Sequence, residues 1–233
     1  METIEMQPRF SRLEKIIGHE NLACLKKKKI LVLGCGGVGG HVVESLVRSG
    51  VGSLTIVDYD TIDITNLNRQ IIALDSTIGQ LKVDVLEKRM KDINPKCNVI
   101  KISEFIDGNN IGKLFEKKYD YVVDACDTIT TKKEVIRICM EKKIPLISSM
   151  GTGNKLDPSK LEITEIRNTK NDPLARIIRK FVKDENIHQK VMVLSSKELP
   201  IKTGDRTPGS SAFVPSSAGI LIASYIVREF LKK

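Results

Sequence analysis

Residues 30–33 are a wholly apolar run (Ile30, Leu31, Val32, Leu33), followed at once by Gly34-Cys35-Gly36-Gly37-Val38-Gly39. An unbroken apolar stretch of this length reads as a parallel strand buried on both faces. The next residues, 38–48, repeat apolar side chains at helical spacing. Strand, glycine turn and helix in that order restrict the chain to few architectures. Glycines let backbone N–H groups approach a phosphate, and the helix amino terminus supplies a favourable dipole. Gly34, Gly36, Gly37 and Gly39 are therefore candidate nucleotide-binding residues. Asp58 closes a second predicted strand at 53–57, 24 residues after Gly34. A carboxylate there would accept hydrogen bonds from the two ribose hydroxyls. The glycines alone could be a structural turn; with strand, helix and acid in order, nucleotide binding is favoured.

The alternation continues through the chain. A helix at 80–93 is stopped by Asn94 and Pro95. A strand at 99–102, a helix at 110–117, a strand at 121–123, a helix at 132–142 and a strand at 146–148 follow. This repetition predicts an α/β fold, Rossmann-like, with a mainly parallel sheet and helices on both faces. Beyond Gly151 the pattern changes. Residues 161–166 alternate apolar and polar side chains, as expected of a half-exposed strand in an antiparallel C-terminal extension. Asp172 and Pro173 start a basic helix over 174–183, and 191–194 is a further strand. Residues 197–217, with Pro200, Pro208 and Pro215, read as a long crossing loop of the kind usually tied to function. The last helix is predicted from about 217 to 231. With 233 residues the chain fits a single domain, 1–150 forming the nucleotide-binding part and 151–233 the substrate part.

The loop after Asp58 narrows the nucleotide. Asp60, Asn66, Asn68, Arg69 and Gln70 are followed by Lys82 near the start of the next helix. A dinucleotide needs no such cluster, whereas a triphosphate does, because charge builds on phosphoryl oxygens during displacement. Each residue has a plainer reading: Arg69 as a surface ion pair, Lys82 as a solvated helix residue, Asn66 as a turn former. The fourth strand runs into Asp124-Ala125-Cys126-Asp127, at the sheet edge where ligands bind in this fold class. Asp127 could hold Mg2+ against phosphates. For Asp124 a helix cap or a buried acceptor is the preferred reading.

Composition removes other classes. At 41% hydrophobic and 29% charged the chain is neither disordered nor a coiled coil. The five cysteines (Cys24, Cys35, Cys97, Cys126, Cys139) contain no C-x-x-C pair, which argues against a disulfide framework or a tetrathiolate zinc site. Reduced and mostly buried thiols are expected. His19, His41 and His188 are too scattered for a metal cluster. No apolar run reaches the ~20 residues of a membrane span. The best candidate, 218–231, contains Arg228 and Glu229 and reads as a buried helix. Glu2, Glu5, Arg9 and Arg12 interrupt any apolar leader, so a cytoplasmic protein with no membrane association is expected. Thirty-eight basic against 29 acidic residues give a net charge of +9, which suits a polyanion such as RNA, although lysine also serves solubility.

Taken together, Arg9-Phe10-Ser11-Arg12, the glycine loop, Val57-Asp58-Tyr59-Asp60, Asn66-Leu67-Asn68-Arg69-Gln70, Gly79-Gln80 with Lys82, Ile93-Asn94-Pro95 and Asp124-Ala125-Cys126-Asp127 resemble the adenylating superfamily of ubiquitin-activating enzymes and their bacterial MoeB and ThiF relatives. The resemblance implies ATP as cofactor, Asp58 on the ribose, Arg69 and Lys82 on the triphosphate, and Asp127 on Mg2+. It also implies a homodimer in which Arg12 reaches the neighbouring subunit's phosphates. The second half is similar to the tRNA threonylcarbamoyladenosine dehydratase branch, through Ile144-Pro145-Leu146, Gly151 and Gly153, Leu156-Asp157-Pro158, Asp172-Pro173-Leu174-Ala175, the Pro208-to-Pro215 loop and Ala218-Gly219. That branch implies a tRNA carrying threonylcarbamoyladenosine as substrate and leaves open a sulfur-transfer partner.

No cysteine follows Cys139, so the crossing loop offers no thiol to receive an activated carboxylate. Cyclisation within the substrate requires none, because intramolecular closure reaches effective molarities of roughly 10⁵ M or more. Lys155, Lys170, Arg176 and Arg179, with Lys180 and Lys183, are candidate contacts to the phosphates of a tRNA anticodon arm. Arg176, Arg179 and Lys183 could equally be the solvated face of an amphipathic helix. Core packing is expected for Phe181 and Phe213. The alternatives are an activator of a ubiquitin-like sulfur-carrier protein, a nicotinamide oxidoreductase, and a non-catalytic tRNA-binding relative.

Overall fold

The structure is a computed structural model and describes residues 8–204 and 207–231. The reading of the leader at Glu2 and Glu5 lies outside these residues, as do residues 205 and 206 of the crossing loop. Seven strands form one sheet: β1 (Lys29–Leu33), β2 (Ser53–Val57), β3 (Asn98–Ile102), β4 (Tyr121–Asp124), β5 (Leu146–Ser149), β6 (Leu161–Glu165) and β7 (Met192–Ser196). Their order is β3-β2-β1-β4-β5-β7-β6. Every neighbouring pair is parallel except β6 with β7, which is antiparallel as the alternating pattern of 161–166 predicts.

Eight helices of four residues or more are described: α1 (Ser11–Ile17), α2 (His19–Leu25), α3 (Gly39–Arg48), α4 (Lys82–Ile93), α5 (Ile111–Leu114), α6 (Ile129–Glu141), α7 (Pro173–Asp184) and α8 (Phe213–Leu231). They cover both faces of the sheet, and alternate residues of β1 divide between two cores. Ile30 and Val32 pack with Val42, Leu46, Leu86, Ile222 and Ile226, while Leu31 and Leu33 pack with Val135, Ile136, Ile178 and Phe181. This double burial explains why the central strands lack alternation.

Several boundaries differ from expectation; α6, for one, starts three residues early, at Ile129. The last helix starts at Phe213 and not near 217, because Pro215 falls in its first turn, where a missing N–H costs no intrahelical bond. The predicted helix at 110–117 shortens to the single turn of α5. Helices α1 and α2 have seven residues each and are separated at Gly18. Among the described residues α8 is the one helix long and apolar enough to cross a membrane. It is instead packed on α3 so closely that a side-chain carbon at Gly219 would lie 2.5 Å from the Val38 carbonyl oxygen.

The register fixes the site. Leu33 pairs with Val57 on one side and with Asp124 on the other. The loops after β1, β2 and β4 therefore leave the same carboxyl edge. Strand order reverses between β1 and β4, which opens the crevice typical of such sheets.

Candidate functional site

The crevice has a volume of about 350 Å³, and its walls come from the loops after β1, β2, β3 and β4 with Thr152, Ser210 and Pro215 of the second half. Gly34 turns the chain out of β1 at φ +86°, and a Cβ there would lie 2.6 Å from the Ala125 carbonyl oxygen. Only glycine fits this contact between two loops. Gly36, Gly37 and Val38 then bring the amino end of α3 to the crevice wall. The first N–H groups of a helix have no intrahelical acceptor.

Asp58 is held from two directions. The Cys35 N–H donates to its Oδ2 at 2.7 Å, and the Asp60 N–H donates to Oδ1 at 3.0 Å. Burial raises its pKa above the usual carboxylate value, opposed by Lys82 and by these two bonds. The carboxylate is thus pre-oriented at the end of β2 and faces the crevice.

Lys82 is 6% exposed, so it is not the solvated helix residue of the plainer reading. Its ammonium lies 2.6 Å from Asp60 Oδ2 and 3.9 Å from Asp58 Oδ1. Arg69 is half-buried and donates to the Thr65 carbonyl at 2.8 Å and to Asn68 Oδ1 at 2.9 Å. Among the described residues it pairs with no carboxylate, so the surface ion pair is not what the structure shows. Its Cγ would touch a Cβ placed on Gly37, so the arginine lies beside the glycine loop. Asn66 does act as a turn former, accepting the Asp63 N–H at 3.2 Å in a reciprocal cap, and it also lines the crevice. Gln70 is buried, and its Oε1 has no hydrogen-bond partner. An unpaired buried acceptor on a crevice wall is costly unless a ligand satisfies it.

The two acids after β4 separate cleanly. Asp124 has no exposure and accepts from Lys132, Ser148 and the Cys126 N–H, the interior role preferred from the sequence. Asp127 is exposed and lines the crevice, with the Thr128 hydroxyl at 3.5 Å. No group of three metal-ligating side chains occurs among the described residues. One accessible carboxylate beside a crevice fits Mg2+, which takes one or two carboxylates and completes its octahedron with phosphates and water.

Other expectations are corrected. Lys155 is buried, with its ammonium 2.6 Å from the Gly151 carbonyl oxygen and 3.3 Å from Asp172, so it is not a surface phosphate contact. Phe213 is 61% exposed rather than packed in the core, whereas Phe181 is buried as expected. Lys170 and Arg176 are exposed and Arg179 is half-buried, and none of the three lines the crevice. Arg12 projects from α1 and does not line its own chain's crevice. The cysteines are free, with Cys35, Cys97 and Cys139 buried; burial pushes the Cys97 thiol up to about 11.

The crevice rim also carries aromatic side chains. Tyr59 and Phe105 stack edge to face at 5.0 Å on the crevice rim, both about half exposed. Exposed aromatics directly after β2 and just beyond β3 were the available signal, since a planar base can lie on them.

Residues 10–199 match the ThiF family. The chain is 42% identical to a tRNA threonylcarbamoyladenosine dehydratase of Bacillus subtilis, over 97% of this chain and 96% of that protein. It is 31% identical over 62% of its length to a molybdopterin-synthase adenylyltransferase of Haemophilus influenzae, 60% of which is covered. The fold superimposes on Escherichia coli tRNA N6-threonylcarbamoyladenosine dehydratase in complex with ATP with a TM-score of 0.91, at 31% identity, covering 96% of this chain and 94% of the other. The same enzyme in complex with AMP gives the same score and coverage.

Proposed function

Because this chain belongs to the ThiF family, we propose that it is an ATP-dependent tRNA threonylcarbamoyladenosine dehydratase, as its similarity to the Bacillus subtilis enzyme over nearly the whole of both chains suggests. The observation that carries the chemistry is the pairing of a pre-oriented Asp58 with an Arg69 that no described carboxylate neutralises, on either side of one glycine turn. Asp58 accepts the ribose hydroxyls of ATP. The N–H groups of Gly36, Gly37 and Val38 and the charge of Arg69 receive the phosphates. Gln70 Oε1 gains the donor it lacks, and Phe105 offers its face to the base. Lys82, already drawn to Asp60, fixes that carboxylate beside Asp58 and lends positive charge to the phosphate end.

In this reading the threonyl carboxylate attacks the α-phosphorus of ATP and pyrophosphate leaves. The carbamoyl group of the same nucleoside then closes on the acyl adenylate and AMP departs. The nucleoside has lost one water. The protein's task is to orient groups already joined to one another, which is why the site needs no thiol nucleophile. Asp127 would hold Mg2+, which supplies charge neutralisation between phosphate oxygens. The reading extends to a cytoplasmic homodimer in which Arg12 of one subunit serves the other's crevice, and a sulfur-transfer partner is compatible with it.

The test is nucleoside mass analysis of tRNA carrying threonylcarbamoyladenosine after incubation with the protein, ATP and Mg2+. ATP-dependent loss of one water supports the assignment. An unchanged nucleoside with folded, ATP-bound protein rejects it and favours a sulfur-carrier activator acting on a Gly-Gly tail.

A further inference from the structure

The second half carries a basic groove that the crevice does not use. It has a volume of about 590 Å³, and its cationic lining is Arg167, Arg176, Arg179, Lys180 and Lys183, with His188 beside them; no carboxylate is among the lining residues, and Glu165 outside the groove pairs with Arg167. Helix α7 supplies four of these cations and contains one acid, Asp184. Helix α4 shows what an ordinary solvated face looks like in the same molecule. It interleaves Asp84 and Glu87 with its basic residues, and both acids hold Lys101. On α7, Arg176, Lys180 and Lys183 are exposed and form ion pairs with no described carboxylate. Glu185, just past the helix, is drawn away to Arg137 on α6.

Direction matters as much as charge. The amino end of α7 abuts the crevice loop. Asp172 caps the helix by accepting the Ala175 N–H at 2.9 Å, and a Cβ on Gly151 would lie 3.4 Å from its carboxylate. Thr152, the next residue, lines the crevice. From that end the twelve-residue helix runs about 18 Å away from the site. Its inner face, Ala175, Ile178, Phe181 and Val182, is buried and anchors it to the core. Arg176, Lys180 and Lys183 fall at i, i+4 and i+7, one row along the outer face. Two flanking cations are held in place: Arg179 donates to the Thr169 carbonyl at 2.6 Å and to its hydroxyl at 2.7 Å, and Arg167 donates to the Ile187 carbonyl.

We propose that this row is the docking surface for the phosphate backbone of the duplex stem adjoining the modified nucleoside of the substrate tRNA. The proposal rests on the dehydratase reading for the identity of the RNA. A rigid line of unneutralised cations leading away from the crevice matches a polyanion whose reacting nucleoside sits in the crevice and whose stem continues outward. Such contacts are sequence-independent and register the duplex by its shape and phosphates. Lys170, exposed and just before the Asp172 cap, extends the row toward the crevice.

The test combines Arg176→Ala, Lys180→Ala and Lys183→Ala in the full-length protein. Affinity for tRNA carrying threonylcarbamoyladenosine is measured by fluorescence anisotropy across a salt series. Each lost phosphate contact lowers the slope of log affinity against log salt by about 1. The triple variant is therefore expected to lose about 3 from the slope and to bind tRNA about tenfold or more weakly at low salt. Its affinity for ATP and its melting temperature are the folding controls. Replacing Lys180 and Lys183 by arginine keeps the charges and should keep the slope. An unchanged slope and tRNA affinity in the triple variant overturn the proposal and leave the face to an acidic protein partner. If the wild type binds tRNA through these residues yet forms no cyclic nucleoside, the dehydratase reading fails and the docking surface stands.

Discussion

The ammonium of Lys132 lies 2.9 Å from Oδ2 of Asp124, and neither side chain is exposed to solvent at all. The same oxygen accepts the Ser148 hydroxyl at 2.5 Å, and Oδ1 accepts the Cys126 N–H at 3.2 Å. One carboxylate thus ties the end of β4 to the first turn of α6, to β5, and to the turn that presents Asp127. That turn in turn packs against Gly34. Geometry at the crevice is set here by a group that never meets the ligand.

Removing one partner of such a pair leaves a buried charge without compensation, which costs about 3–5 kcal/mol. Lys132→Met is expected to lower unfolding stability by that amount in urea titrations. A loss below about 1 kcal/mol would mean that water reaches Asp124 and that the pair does not hold the turn.

Arg69 presents the opposite case. Its side chain is half-buried and bonded only within its own turn among the described residues, so its removal should leave the fold intact. An arginine that meets phosphoryl charge during displacement is worth about 10³-fold or more in rate. Arg69→Ala is expected to abolish ATP- and tRNA-dependent pyrophosphate release while its melting temperature stays near wild type. Wild-type pyrophosphate release from the variant would remove Arg69 from the chemistry.

Asp58 gives a pH signature. Burial raises its pKa above 3.8, the value it takes when unfolded. The folded state therefore holds this proton more tightly, and the stability so gained is fully present below pH 3.8 and is lost as pH rises through the raised value. ATP binding runs the other way, since only the ionised carboxylate accepts both ribose hydroxyls. Calorimetric ATP affinity should fall on acidification at a pH higher than an ordinary aspartate would give. Hydrogen bonds to a charged group contribute about 1.5–3 kcal/mol, so Asp58→Asn should bind ATP roughly ten- to hundredfold more weakly and lose that acid limb. An identical acid limb in the variant would assign it to another group.

What the sequence discloses and what it hides follow from the range of the interactions. The glycine turn, Asp58 and the 66–70 loop are legible because each depends on spacing along a short stretch: Gly34 and Asp58 end adjacent strands, and register does the rest. Strand β2 agrees to the residue for the same reason. Helix α8 is longer than its sequence predicts because Pro215 signals a break to local rules, although a helix's first turn accepts it. The Tyr59–Phe105 rim and the Ser210 contribution to the crevice come from separate loops, joined only by the fold. The burial of Lys155 is hidden because a lysine reads as surface unless its partner is known, and Asp172 lies 17 positions away.

Buried Lys155 and exposed Lys183 form a last, discriminating pair of sites for variants. Lys155 and Asp172 have almost no side-chain exposure, and the lysine also holds the Gly151 carbonyl while the aspartate caps α7. Lys155→Ala should therefore be felt in stability, by about 3–5 kcal/mol, and should disturb the start of α7. At salt concentrations where the protein remains folded, it should leave the salt slope of tRNA binding unchanged, since no phosphate reaches its ammonium. Lys183→Ala should do the reverse, leaving stability within about 0.5 kcal/mol and lowering the slope by about 1. Equilibrium unfolding and salt-dependent tRNA binding, run on both proteins, separate a lysine that builds the fold from one that meets the substrate. A stable Lys155→Ala variant with a reduced slope would reverse the two assignments.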